Sequence, residues 1–236
     1  MTDSTSGATR RVMAVVAHPD DEALGCGGTL RRHVLDGDEI WVVFLADGET
    51  SRDISDRAAR DKAIGRREAA AQAAAKILGI QHVSFHRFPD NQLDSLALLD
   101  ITKVVEKHIR DVKPHTVYTH HAGDLNVDHR LVHAAVVTAC RPRPRHPVDT
   151  LLFFETASST EWQTPGSAPA FSPNWFVNIS ATLEAKMSAL RAYESELIAW
   201  PHPRSLEGIE HLARWRGASI GCPAAEAFFL GRAIKR

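Results

Sequence analysis

The sequence predicts an α/β fold: a Rossmann-like three-layer sandwich with a mostly parallel sheet and a C-terminal elaboration. Three observations carry that expectation. Through residue 155, short apolar runs alternate with longer helical patterns, and strict alternation implies right-handed crossovers and parallel pairing. The runs are continuously apolar rather than alternating, as strands covered on both faces must be. The chain is also long enough, at 236 residues with 44% hydrophobic and 24% charged, to bury a large core, which excludes disordered and fibrous classes.

Each element follows in order. Residues 12–17 (VMAVVA) read as a buried strand, followed by a glycine-rich entry into a helix that ends near Leu35, where Asp36-Gly37-Asp38 breaks it. Residues 40–46 (IWVVFLA) form a second strand, ending at Asp47-Gly48. Residues 54–78 are alanine-rich and helical, and Gly79 stops them at the position where a left-handed residue is wanted. A more polar strand at 82–88 precedes the turn Pro89-Asp90-Asn91, and 96–110 is an amphipathic helix. A fourth strand at 116–120, a helix at 128–140 and a fifth strand at 151–154 complete the alternation. Beyond them, 158–173 reads as a long Ser/Thr/Pro-rich loop, 181–198 as a helix, a further short helix ends near Gly217, and 227–234 returns as an edge strand. Residues 1–10 are expected to be a flexible tail, and 11–236 a single domain.

Charge and cysteine usage narrow the function. Twenty-eight Lys and Arg against 29 Asp and Glu supply no cationic field for nucleic acid or an anionic membrane. Three scattered cysteines make neither a disulfide framework nor a thiolate zinc site. No apolar run reaches the roughly 20 residues a membrane span needs, and no secretory leader is visible. The expectation is a cytoplasmic protein acting on a small molecule, with homo-oligomerisation left open.

Topology then says where to look. In doubly wound sheets ligands bind beyond the carboxyl ends of the strands, where strand order reverses; for the order 3-2-1-4-5 that is between strands one and four. Strand one is followed by Ala17-His18-Pro19-Asp20-Asp21-Glu22, and strand four by His120-His121-Ala122-Gly123-Asp124-Leu125-Asn126-Val127-Asp128-His129. These are the densest His/Asp clusters in a chain of 13 histidines. Two neutral imidazoles and a carboxylate around an open position suit a catalytic divalent metal, which acidifies a bound water and polarises a carbonyl. Adjacent carboxylates diverge, so one of Asp20 and Asp21 can ligate while the other stays free to take a proton.

On these residues the chain resembles the LmbE-like/PIG-L family of zinc-dependent de-N-acetylases. The A-H-P-D-D-E turn matches at every position from Ala17 to Glu22, and the second signature ends in D-H at Asp128-His129. The glycine-rich helix entry Gly25-Cys26-Gly27-Gly28-Thr29, Arg67, Phe88-Pro89-Asp90 and the closing Ala225-Glu226-Ala227-Phe228 extend the likeness over most of the chain. The resemblance implies that His18, Asp21 and His129 hold zinc, for which Fe(II) or Mn(II) can substitute. It implies that Asp20 is the general base, that Asp128 orients an active-site imidazole, and that Arg67 and Asp90 contact sugar hydroxyls. The implied reaction removes an acetyl or acyl group from the 2-amino group of an N-acetylglucosamine-type sugar or glycoconjugate. One position departs. Many relatives carry histidine two residues before the D-H pair, where this chain has Asn126, an oxyanion donor that cannot supply a proton. His120 and His121 are the candidate replacements, with His202 or Asp20 itself as further options.

Alternative readings are an amidase acting on a thiol- or antibiotic-sugar conjugate and a non-catalytic sugar-binding module. Other motifs weigh less. Gly217-Ala218-Ser219-Ile220-Gly221 matches a nucleophile elbow, but a helical pattern precedes it and no histidine follows. Gly25-Cys26-Gly27 lacks the third glycine of a dinucleotide fingerprint. His133 reads as a packed histidine, the arginines of 141–145 as a solvated connector able at most to hold a diphosphate, and Trp200 and Trp215 as core.

Overall fold

The computed structural model describes residues 9–235. Of the expected tail, residues 1–8 lie outside the described residues, while the backbone of Arg10 is already tied to Asp38 and Glu39. Five parallel strands, β1 (Arg11–Val16), β2 (Glu39–Ala46), β3 (His82–Phe88), β4 (Thr116–His120) and β5 (Thr150–Phe154), lie in the order β3-β2-β1-β4-β5. The reversal between β1 and β4 is therefore real, and it places the carboxyl ends of these two strands side by side.

Helices cover both faces: α1 (Asp21–Leu35), α2 (Arg57–Leu78), α3 (Leu98–Val112), α4 (Val127–Ala139), α5 (Leu183–Arg191) and α6 (Leu206–Ala218). Alternation along β1 divides the core. Val12, Ala14 and Val16 pack with α1, α2 and α5, whereas Met13, Val15 and Ala17 pack with α3 and α4. Each buried valine or methionine among them stabilises the fold by about 1.5–3 kcal/mol, so the strands must be apolar on both faces, as their sequence is.

Local signals end the helices where the chemistry requires. Asp56 accepts from the backbone N–H of Ala59 at 2.7 Å and starts α2, three residues later than the alanine-rich pattern alone suggests. Gly79, at φ 79°, closes α2 with N–H groups of Gly79 and Ile80 returning to the carbonyls of Lys76 and Ala75. Helix α1 is kinked at Cys26 (φ −146°, ψ 17°). The donors freed there, the N–H groups of Gly28 and Thr29, are taken by the buried Glu226 carboxylate at 3.0 and 2.7 Å. Lys186 pairs with the same carboxylate at 2.6 Å and donates to the Leu24 carbonyl at 2.8 Å.

The C-terminal third differs from expectation in three respects. The returning strand β7 (Ala225–Ala233) is not at an edge: it pairs antiparallel with β5 on one side and with β6 (Trp175–Asn178) on the other. The edge belongs to β6, whose short run WFVN follows a proline-rich stretch and carries too little pattern to be seen in sequence. The helix expected over 181–198 is only α5, followed by a 3-10 turn at Glu194–Glu196. Trp200 and Trp215 are exposed rather than core, at 55% and 68%. The sheet thus has seven strands, and among the described residues no helix is long and apolar enough to cross a membrane.

Candidate active site

The turn from β1 into α1 and the turn from β4 into α4 meet at the crevice. After β1, Asp20 sits at φ 133°, ψ −26°, a conformation that costs a non-glycine residue and that functional turns tend to retain. This bend leaves Asp21 free to open α1 and fold back, its carboxylate accepting from the His18 N–H at 2.8 Å. After β4, Asn126 caps α4 through its Oδ1, which accepts from the N–H groups of Asp128 and His129. His129 is thereby held in the first turn of α4, facing β1.

A coordinating atom from each of His18, Asp21 and His129 lies within 4.8 Å of the other two, and all three residues are buried. Asp21 Oδ1 stands 3.4 Å from His129 Nε2, and Asp21 Oδ2 stands 3.4 Å from His18 Nδ1. The far side of each imidazole meets a carboxylate: His18 Nε2 lies 3.0 Å from both Asp90 and Asp128, and His129 Nδ1 lies 3.1 Å from Asp124. Asp128 is itself fixed by the backbone N–H groups of Asn91 and Leu93 at 2.7 and 3.0 Å. Asp124 accepts from the hydroxyls of Ser159 and Thr160, the latter at 2.6 Å. Imidazoles held by carboxylates are how proteins orient metal-ligating histidines.

The charges show the same design. Burial opposes a proton on His18, yet Asp128, Asp21 and Asp90 lift it well above the usual imidazole range. Burial likewise opposes a proton on His129, but Asp21 and Asp124 push it up to about 9. Burial would raise Asp21 and Asp124; instead the neighbouring imidazoles hold Asp21 well below the carboxylate range and Asp124 at about 2. A centre this rich in buried carboxylate favours a cation, and its two nitrogens and one oxygen are the donor set of an open-sided zinc-type site. The residues present therefore fit a divalent metal.

Asp20 joins neither this group nor the second convergent set of His18, Asp90 and Asp128. It is buried and lines a cavity of about 250 Å³ together with His18, His129, Asp90, Arg67 and Arg204. Burial raises its carboxyl, with Arg204 and Arg67 pulling the other way. Arg204 Nη1 lies 3.2 Å from Asp20 Oδ2. Glu22 beside it is pushed by burial to about 8, against the hydrogen bond it accepts from the Tyr193 hydroxyl at 2.6 Å.

The remaining expected residues separate. Arg67 and Asp90 both reach the cavity; Arg67 pairs with Glu196 at 2.5 Å and Asp90 accepts from the Ser51 hydroxyl. His120 and His121 do not reach it. His120 Nε2 accepts from the Ala17 N–H at 3.0 Å, its other nitrogen faces Thr156, and its ring stacks on His129 at 3.9 Å. Burial, then His129, keeps it well below the usual range. His121 Nε2 faces the Pro169 carbonyl at 3.0 Å. His202 accepts from the Arg204 N–H and packs on Trp162, also off the cavity. His133 is packed, between the His120 carbonyl and Phe153. Ser219 of the elbow-like motif caps the end of α6. A larger hollow of about 400 Å³ beside Arg143 and Arg145 shares no lining residue with the donor cavity.

Sequence reasoning missed Asp124, Glu196 and Arg204. Asp124 stood inside the second cluster and could have been noticed there; Glu196, in the 3-10 turn after α5, and Arg204, in irregular chain, carry no local signal.

A family model described as GlcNAc-PI de-N-acetylase matches residues 13–140. The uncharacterised deacetylase YaiS of Escherichia coli is 30% identical over 198 residues, covering 81% of this chain and 95% of that protein. The diacetylchitobiose deacetylase of Thermococcus kodakarensis is 26% identical over 200 residues, covering 79% and 70%. Among solved structures, the 4-carboxy-2-hydroxymuconate hydratase GalB of Pseudomonas putida superposes with a TM-score of 0.76 at 21% identity, over 97% of this chain and 99% of its own. A hydratase on the same fold means that the reaction must be argued from the site. With its signature turn and its D-H pair brought to one buried centre, and with more than half its length matched, this chain belongs to the PIG-L (LmbE-like) family.

Proposed function

We propose that this protein is a zinc-dependent N-deacetylase that hydrolyses the acetamide of an N-acetylglucosamine-type sugar or glycoconjugate. The observation that carries the reading is the convergence of His18, Asp21 and His129 with Asp20 beside them but outside the set, where His18, His129 and Asp20 open on one cavity. A divalent metal bound by those three residues supplies Lewis-acid polarisation of the amide carbonyl and acidification of water.

The chain's own residues supply the rest. Asp128 and Asp124 hold His18 and His129 in the orientation that presents their inner nitrogens. Asp20, kept near the centre by its bent backbone, takes the proton of the attacking water. The cavity is lined almost wholly by polar and charged groups, which suits a hydroxylated ring and leaves no apolar slot for a long acyl chain. Arg67 and Asp90 are the sugar-facing pair on this reading. The names of the relatives, two of them deacetylases, support the reaction class.

The test is metal analysis of the purified protein together with acetate release from N-acetylglucosamine and N,N′-diacetylchitobiose. Near-stoichiometric zinc, and acetate release abolished by chelation and restored by Zn(II), is the expected result. A metal-free protein that binds these sugars without releasing acetate would establish a binding module instead.

A further inference from the structure

Amide hydrolysis makes two demands beyond polarising the carbonyl and activating water. Negative charge develops on the carbonyl oxygen, and the departing nitrogen needs a proton. Asn126 meets neither demand in full, because it cannot supply a proton, its Oδ1 caps α4, and one N–H of its Nδ2 is taken by Asn91 Oδ1 at 2.8 Å. Among the described residues, no imidazole other than those of His18 and His129 lines the cavity.

Cations do line it. Arg52 donates to both oxygens of Glu196 at 2.8 and 2.9 Å and pairs with Glu49 at 3.3 Å. Arg67 pairs with Glu196 at 2.5 Å and faces Glu49 at 3.8 Å. Two guanidiniums and two carboxylates thus neutralise each other. Arg204 is different: its carboxylate partner is Asp20 itself, at 3.2 Å. Its Nε donates to the Ser158 hydroxyl at 3.0 Å, and its Nη2 makes no hydrogen bond among the described residues. Its side chain is 21% exposed, so most of it is sheltered from solvent. It is also firmly placed, since its backbone N–H donates to His202 and the next residue, Ser205, caps α6.

We infer that Arg204 is the oxyanion-stabilising residue of this enzyme, standing in for the histidine that Asn126 replaces. The inference rests on the deacetylase reading above. In the first step a water oxygen bonds to the carbonyl carbon and a water proton passes to Asp20. Negative charge thereby leaves the carboxylate that Arg204 holds and appears on the carbonyl oxygen. A guanidinium with one nitrogen on Asp20 and another free can follow that charge over a short distance, where fixed donors are most effective. Arginine stays protonated at any working pH, so it cannot protonate the amine. The proton that Asp20 took is the one that returns to nitrogen as the C–N bond breaks, giving acetic acid and the free amine. One carboxylate therefore carries the proton both ways while Arg204 carries the charge.

The test compares wild type, Arg204→Ala and Arg204→Lys for acetate release from N,N′-diacetylchitobiose and for binding of two probes. One probe is glucosamine; the other is glucosamine bearing a methylphosphonyl group on nitrogen, which presents a tetrahedral anion. For Arg204→Ala, kcat is expected to fall about 100–1,000-fold, the range for losing an oxyanion donor, with KM changed less than about threefold. Affinity for the tetrahedral anion should fall in parallel, glucosamine affinity and zinc content should hold, and millimolar guanidinium should restore part of kcat. Arg204→Lys should lie between, because it keeps the charge and loses the fork. Equal losses for both probes, or no loss in kcat, overturn the assignment. If wild type itself neither releases acetate nor binds the tetrahedral probe, the deacetylase reading fails and this inference fails with it, a result separate from any effect of the variants.

Discussion

The buried pair Lys186–Glu226 gives the sharpest stability prediction. Glu226 is 4% exposed and holds three donors: Lys186 Nζ at 2.6 Å, and the N–H groups of Gly28 and Thr29 at 3.0 and 2.7 Å beyond the α1 kink. In Glu226→Gln the single remaining oxygen can serve only part of that set, and the amide presents donors where acceptors are needed. Lys186 is left as a buried ammonium with the Leu24 carbonyl as its one partner. Breaking a buried pair from one side costs about 3–5 kcal/mol, which for a chain of this size lowers Tm by about 6–20 °C. Lys186→Met removes the stranded charge, so adding it to Glu226→Gln should recover part of the loss rather than deepen it. Urea unfolding of both single variants and the double variant measures the coupling. A loss under about 1 kcal/mol for Glu226→Gln, or losses that simply add in the double variant, would refute the view that this carboxylate is committed to the ammonium and the kink together.

Three further expectations follow from the same geometry. Asp20→Asn keeps the side chain's shape at a positive φ that Asn tolerates better than most residues; zinc content should persist while turnover falls about 100–10,000-fold, and turnover near wild type would remove Asp20 from the base role. Asp124→Asn withdraws the carboxylate behind His129, so chelator competition should show zinc binding weakened about 10–100-fold. His108 meets His86 at 2.8 Å between α3 and β3 and is pushed down from 6.5 to about 4 by burial and that neighbour. The unfolded chain therefore binds the extra proton first, and stability falls as pH drops from 6.5 toward 4. The urea midpoint of His108→Asn should lose less than that of wild type between pH 7.5 and 5, and parallel losses would contradict this.

Much of the site was legible because it is local and dense. The turn at Ala17–Glu22 and the pair Asp128-His129 each carry their chemistry within a few residues, and topology alone said they should meet. What lay beyond reach was long-range. Nothing near Arg204 marks it as a partner of Asp20, 184 residues away in sequence, and nothing near Glu226 shows that it takes the Gly28 N–H beyond the α1 kink, 198 residues earlier. His120 and His121 misled for the opposite reason: proximity in sequence to Asn126 suggested a role, while β4 turns one into a buried prop under His129 and the other toward the Pro169 carbonyl.

By itself, the amino-acid order determined the alternation of five strands with their helices and the two His/Asp clusters that follow the first and fourth strands, because apolar periodicity and clustered donors are properties of short stretches of chain. Only the tertiary structure decided that strand order reverses between β1 and β4, that β7 lies inside the sheet with β6 at its edge, and which cation faces Asp20. Those outcomes depend on which distant segments pack against one another, and packing between distant segments leaves no period to read along the chain.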